Sequence, residues 1–466
     1  MFPLVTPIGS LLFPLGICLL VLNRKYLFYS SVVSVAFFDC SLGFPAGVKI
    51  IPVFWFGGLY ILKSVPLFFS KRRLSSISSI GFSFFAIFLL IVFGSIFMAV
   101  FYEGQVNVMP FVGTFKDFEI VEPLKLSMSN FTQTAYLVLM SLLTLTWALE
   151  ISCSTERCSF AIKLLLVAIL GVFISGILTQ VLLIRNLGLA TEFYRIFVDP
   201  DRIEEILART TNYNDFGGYP RMYSLCGEPN FTANLFLVGL TQSVGHFVMC
   251  RNLQFATKGF YLVCALLSVV GCILCGSTGG YVGLILVVLS FYFLIYTAYS
   301  RKYVEFQWRI TLFLSGLVVL VIGLLILPIL AVSSIGDYVF QNHVTKIASL
   351  EGSGSVRIGS ILQSLEIFGR SPLLGVGFGS HRSVSVLTLL LANTGMLGAF
   401  SFLGFNGYLI FGRYKGQEGD SGHVLFKCAA FGIIPLLSIV LIATPAAGLL
   451  FGWYWLLVAI LLVYRK

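Results

Sequence analysis

The sequence predicts an all-α polytopic membrane protein with about 12–13 transmembrane helices and two large non-cytoplasmic loops that contain short amphipathic helices. Three observations carry this prediction. Of 466 residues, 58% are hydrophobic and only 11% charged, too little charge to cover the surface of a soluble chain of this length. The apolar residues form continuous runs suited to helices crossing a hydrocarbon layer about 30 Å thick, unlike the short alternating strands of a β-barrel. The basic residues concentrate on one side of those runs.

In chain order the runs cover residues 8–22, 26–40, 44–62, 80–101, 134–151, 164–184, 231–250, 260–275, 281–299, 310–332, 384–410, 428–443 and 448–463. The first two are short for a crossing. Alternating sides along them puts 18 of the 30 basic residues on one face, among them Arg24, Lys63, Arg157, Arg413 and Arg465, with only 5 of the 20 acidic ones. By the positive-inside rule that face is cytoplasmic. The formal charge of +10 is therefore a topology signal, and no nucleic-acid partner is expected. Arg24 and Lys25 follow the first run instead of preceding it, so the run is expected to stay as a helix and not to be cleaved as a signal peptide. The ten cysteines lie mostly inside runs, where they pack as small hydrophobes. Cys272 and Cys275 make a CxxC spacing, but no second pair or histidine cluster accompanies them, and no metal site is expected.

No repeat or soluble module divides the chain, which reads as a single transmembrane domain over 1–466. Its long outer segments are 102–133, 185–230 and 333–383, and long loops on a membrane scaffold are where function concentrates. Within 185–230, the stretch DPDRIEEILAR at 199–209 predicts a short amphipathic helix with Ile203, Ile206 and Leu207 on one face. Asp199 and Asp201 read as its start, not as metal ligands. Arg221 and Glu228 follow, just before the next run. Charge that close to the bilayer is costly unless paired or used, although helix-end capping and snorkelling are the plainer reading.

The 333–383 loop carries Arg357, Arg370, His381 and Arg382. Between Arg357 and Phe368 the apolar residues Ile358, Ile361, Leu362 and Leu365 form a helical stripe, and Pro372 with Gly375, Gly377 and Gly379 then force an irregular turn. GVGFGS follows no strand, so a dinucleotide fingerprint is a poor reading; glycines here let backbone approach a ligand or another helix. Guanidinium forks match phosphate oxygens, so arginines outside the cytoplasm beside a hydrophobic bundle suit a lipid-linked phosphate. Pairing with Glu351 and Glu366 is the competing use. His381 is a candidate proton acceptor.

The order Arg221-x-x-Ser-x-x-x-Glu228-Pro229-Asn230, then GSTGG, then RxGSILQSLEIFGRSPLLGVGFGS before a run holding NTGMLG resembles the O-antigen polymerase and ligase superfamily of bacterial envelope glycan assembly. The resemblance covers roughly residues 185–404. It implies a multi-helix, metal-independent and cofactor-free glycosyltransferase of the bacterial cytoplasmic membrane. Its expected partners are undecaprenyl-diphosphate-linked oligosaccharides as donor and acceptor, the bilayer itself, and a chain-length regulator protein. Glu-Pro after Arg221 looks more like the polymerase branch than the ligase branch, which transfers glycan to lipid A core. Two departures stand out. Thr278 or Gly279 occupies a place where family members often carry arginine, and His381 lies three residues ahead of the ligase histidine position, which is nearer Val384 here.

The resulting expectation is that Arg221 and Arg357 clamp the diphosphate, Arg370 and Arg382 are further diphosphate ligands, and Glu228 or His381 accepts the acceptor's proton. A flippase or other transporter is the rival class; it is expected to carry ionisable residues at mid-membrane and repeated halves.

Overall fold

The computed structural model describes residues 5–43, 49–70, 75–110, 121–198, 203–204, 206–207, 221–249, 254–299, 353–415, 421–443, 449 and 451–465. These form an all-α fold of 14 helices with one two-stranded hairpin. The helices are α1 (Pro7–Val21), α2 (Arg24–Ser34), α3 (Pro52–Phe68), α4 (Ser79–Phe101), α5 (Met128–Ile151), α6 (Thr155–Arg185), α7 (Leu187–Phe197), α8 (Pro229–Met249), α9 (Phe255–Leu274), α10 (Thr278–Tyr299), α11 (Ser353–Arg370), α12 (Val386–Phe411), α13 (Ser421–Ala443) and α14 (Gly452–Tyr464). Strands β1 (Asn107–Val108) and β2 (Glu122–Pro123) pair antiparallel between α4 and α5. Among the described residues six helices are long and apolar enough to cross a membrane, and four more are apolar but shorter. The protein is a multi-pass membrane protein.

Twelve of the thirteen expected runs overlap helices, the one at 44–62 only from Pro52, its residues 44–48 lying outside the described residues as does the whole run at 310–332. Two differences have physical causes. The run at 26–40 is helical only to Ser34, because the chain then leaves the helix and Asp39 donates its N–H to the Leu225 carbonyl at 3.2 Å. The run at 134–151 starts earlier, at Met128, where Asn130 Oδ1 accepts the Ser127 N–H at 3.0 Å and so ties down the first turn. In the first large loop an unanticipated helix, α7, precedes the expected one; residues 199–202, 205, 208 and 209 of that expected helix lie outside the described residues, while Ile203 and Ile206 are buried against Tyr194 and Tyr223.

Burial follows composition. α14 is apolar on every side, and Trp453 through Leu462 are at most 1% exposed, so it is the central helix. α4 is equally apolar, yet Leu90 and Phe97 are 70% and 71% exposed; that face contacts lipid. The basic end of the bundle is tied by Glu150, fully buried, which accepts from Arg24 at 3.0 Å and from Arg157, joining α2, α5 and α6. The opposite end, here called outer, holds the long loops.

α4 and α12 run antiparallel, with Ser78 bonded to Tyr408 at 2.7 Å and Phe88 against Phe402 at 5.4 Å. That pairing sets Gly395 of α12 level with Ser95 of α4, about 9 Å below the outer end of α4 at 1.5 Å per residue. At this depth α12 is broken: Gly395 has φ +63° and ψ −167°. The backbone groups that the break would expose are met by the segment between α11 and α12. The N–H groups of Val376 and Gly377 donate to the carbonyls of Ala392 and Asn393 at 2.9 and 3.0 Å, and those of Met396 and Leu397 donate to Pro372 and Leu373 at 2.8 and 3.2 Å. Two helical bonds are thus exchanged for four between segments, which satisfies backbone that lipid could not. The same segment is pinned from below and beside: Phe378 N–H donates to Ser95 Oγ at 3.1 Å and Asn130 Nδ2 donates to the Phe378 carbonyl at 2.8 Å. The GVGFGS glycines therefore serve the approach of backbone to helices. Gly375 lies against the Asn393 backbone, and a Cβ on Gly379, φ +83°, would sit 2.8 Å from the Asn130 Cα.

Candidate functional site

The outer end carries two loops whose local folding explains the sequence pattern. In the first, Met222 N–H donates to the Leu274 carbonyl at 3.1 Å, which fixes Arg221 beside the turn between α9 and α10. Gly276, φ +56°, leaves room for the arginine stem, whose Cγ would stand 3.4 Å from a Cβ there. Ser224 shapes the next turn: its hydroxyl accepts the Cys226 N–H at 3.1 Å and bonds Thr232 Oγ1 at 2.9 Å, while Thr232 N–H donates to the Glu228 carbonyl at 3.0 Å. Glu228 thus stands immediately before α8, its carbonyl accepting from the first turn, and is half-buried. Asn230 faces α10, where Ser277 Oγ donates to its Oδ1 at 3.3 Å and a Cβ on Gly279 would meet the same oxygen at 2.7 Å. Of the GSTGG glycines, Gly279 is small because Asn230 occupies the space, while Gly276 faces the Arg221 stem and Gly280 faces Ala233.

In the second loop, α11 descends beside the first turns of α12. Ser360 Oγ accepts the Val384 N–H at 3.3 Å, and Ser364 bonds His381 at 2.9 Å. Arg382 donates its backbone N–H to the Met109 carbonyl at 2.9 Å, and its side chain is half-buried. Ser385 caps α12 and donates to the Leu441 carbonyl of α13 at 2.5 Å. Ile439, two residues earlier on α13, lies against Gly279. The outer end of α13 therefore stands between the two loops, with Arg221, Glu228 and Asn230 on one side and Arg382 to Ser385 on the other.

Arg357 is exposed one turn before Ser360, so it belongs to the same outer level as Val384 and Arg382. Arg370 does not join them. It lies thirteen residues further along α11, about 20 Å away by helical rise and on another face, with its guanidinium 3.6 Å from Glu366. The expectation that Arg370 is a further ligand of the diphosphate clamped by Arg221 and Arg357 is corrected by that spacing.

His381 is corrected as a base. It is fully buried, and Met109 N–H donates to its Nδ1 at 3.2 Å, so the ring proton sits on Nε2 and is donated to Ser364 Oγ, whose own proton goes to the Ser360 carbonyl at 2.7 Å. Burial, with Arg382 nearby, pushes its pKa down to about 3. A neutral imidazole with both nitrogens engaged holds the loop together instead of accepting a substrate proton. Glu228 is left as the candidate base.

Sequence reasoning missed Asp39. Its signal was present, since it is the only acidic residue among the first hundred, and a lone carboxylate in apolar sequence marks a site or a partner. It pairs with Lys49 at 3.1 Å beside the turn that precedes Glu228. Among the described residues no group of three or more His, Cys, Asp or Glu side chains is placed to hold a metal ion. No family model and no curated protein matches the chain.

Proposed function

We propose that this chain is a polysaccharide polymerase of the bacterial cytoplasmic membrane, which transfers a growing glycan from undecaprenyl diphosphate to the next lipid-linked repeat unit on the outer side. The observation that supports the reading is that both arginine-bearing loops pack on the outer end of α13, with Glu228 on one of them.

The chemistry asks little more than these groups supply. The bond between the sugar C1 and the diphosphate oxygen breaks, a bond from C1 to the acceptor hydroxyl oxygen forms, and the hydroxyl proton goes to the Glu228 carboxylate. Arg221, Arg382 and Arg357 neutralise charge growing on the departing diphosphate. Binding both prenyl tails in the bilayer beside one site orients donor and acceptor. Arg370, paired with Glu366 away from the others, has no part in the step.

A second reading, a flippase for lipid-linked oligosaccharide, draws on the break in α12, since transporters often build sites at broken helices. Against it, the backbone groups at this break are engaged by residues 372–377 and are not left for cargo. Purified protein in liposomes, given lipid-linked oligosaccharide extracted from cells that lack it, separates the two. Elongation of the lipid-linked glycan is the expected result; relocation across the bilayer without elongation overturns the polymerase.

A further inference from the structure

Asp39 and Lys49 form an ion pair that the transfer chemistry above does not use. Lys49 Nζ donates to the Asp39 carboxylate at 3.1 Å and to the Asp39 carbonyl at 2.9 Å, so the ammonium grips side chain and backbone of one residue together. Asp39 is 11% exposed at its side chain and Lys49 31%. Withdrawing both charges from water costs more than an apolar pair would, so such a pair is a weak source of stability and a good source of fixed geometry.

What it fixes is the approach to Glu228. Asp39 N–H donates to the Leu225 carbonyl at 3.2 Å, and the Cys40 thiol reaches the same carbonyl at 3.7 Å. Gly227 has φ +115°, and a Cβ there would lie 3.2 Å from Asp39 Cβ and 3.4 Å from its Cγ. The Asp39 side chain therefore forms the wall against which residues 225–227 turn. Ser41 N–H, bonded to the Phe197 carbonyl at 2.8 Å, ties the same strand of chain to the end of α7. Residues 39–41 thus join α7 to the turn that opens α8.

We infer that Asp39, held by Lys49, is a positioning residue for Glu228: it sets the 225–227 turn and with it the direction in which the Glu228 carboxylate meets the acceptor. This rests on the transferase reading of Glu228. The role asks for the length and charge of aspartate. An asparagine keeps the backbone bond to Leu225 but loses the ionic grip of Lys49, and the turn is then free to shift.

The test compares Asp39→Asn with the native chain in elongation of lipid-linked oligosaccharide extracted from cells lacking the protein. The expected result is a fall in kcat of roughly ten- to a hundredfold, the size of effect that a misplacement of about 1 Å produces, with KM for donor nearly unchanged. The paired exchange Asp39→Lys with Lys49→Asp recovers part of the loss. A parallel arm needs no activity: Glu228→Cys is labelled from outside by a membrane-impermeant maleimide, and the introduced thiol reacts several-fold faster when Asp39→Asn is also present. A native chain that elongates, with Asp39→Asn matching it in kcat and in labelling, overturns this inference alone. A native chain that transfers nothing overturns the transferase reading, and unchanged labelling then overturns the positioning of the turn as well.

Discussion

Asn393 holds the main chain of His381 on both sides: its Oδ1 accepts the His381 N–H at 2.9 Å and its Nδ2 donates to the His381 carbonyl at 2.7 Å. One residue of NTGMLG thereby reads one residue of the preceding loop, next to the point where α12 breaks. The two sequence stretches are a single structural unit, and the position of Arg382 follows from it. The same holds for the other loop, where Asn230 of the Glu-Pro-Asn stretch fits against Ser277 and Gly279 of GSTGG.

The interlock predicts that Gly395→Ala is destructive. Its φ of +63° disfavours any residue with a Cβ, and the new methyl would run into the Leu373 carbonyl. Thermal unfolding in detergent is expected to show a loss of at least about 2 kcal/mol. Gly94→Ala in α4, where nothing lies within 4 Å of the added methyl, is the control and is expected to be neutral or slightly stabilising.

The buried imidazole of His381 makes stability fall in acid. Its folded pKa of about 3 lies below the ordinary value of 6.5, so between those limits the unfolded chain takes up a proton that the folded chain refuses. The contribution is fully present above pH 6.5 and declines by about 1.4 kcal/mol per pH unit as pH falls toward 3. Unfolding midpoints at several pH values check this. His381→Gln, which can accept from Met109 and donate to Ser364, is expected to remove that slope while the protein still turns over. Loss of all transfer by a well-folded His381→Gln chain would return the histidine to the chemistry.

Glu150 is expected to matter for stability and not for transfer. Fully buried between Arg24 and Arg157 at the basic end, it is the single carboxylate that neutralises both. Because the two arginines are 25% and 41% exposed, Glu150→Gln is expected to cost about 2 kcal/mol, less than a wholly buried pair would. The transfer rate per folded molecule stays unchanged, which is measured by normalising elongation to folded protein.

Glu228→Gln keeps shape and hydrogen bonding but removes the basic oxygen. Its expected effect is a fall in kcat of about a hundredfold with little change in donor KM, in the range that loss of a general base produces. Unchanged turnover would make Glu228 a helix-start residue only.

Much of the fold was legible because lipid imposes a simple rule, that backbone be satisfied within each crossing. Runs such as those forming α4, α8 and α14 needed no partner to be recognised. The break in α12 was not legible, because its stability depends on pairing residues 392–397 with 372–377, and no periodicity encodes that exchange. The glycines were readable as close approach, though not as approach to Asn130 and Asn393. His381 looked reactive because a loop histidine carries no mark of burial; only Met109 and Ser364 around it show that its nitrogens are occupied. Asp39 was hidden by its position at the end of a run that reads as helix to Cys40, while the helix stops at Ser34.

Whether Arg221 grips the diphosphate is read from elongation by Arg221→Ala, in protein shown to insert and accumulate at the native level. If Arg221 grips the diphosphate, the lipid-linked substrate stays at one repeat unit while its amount rises. A normal ladder of chain lengths from Arg221→Ala would remove Arg221 from the diphosphate site.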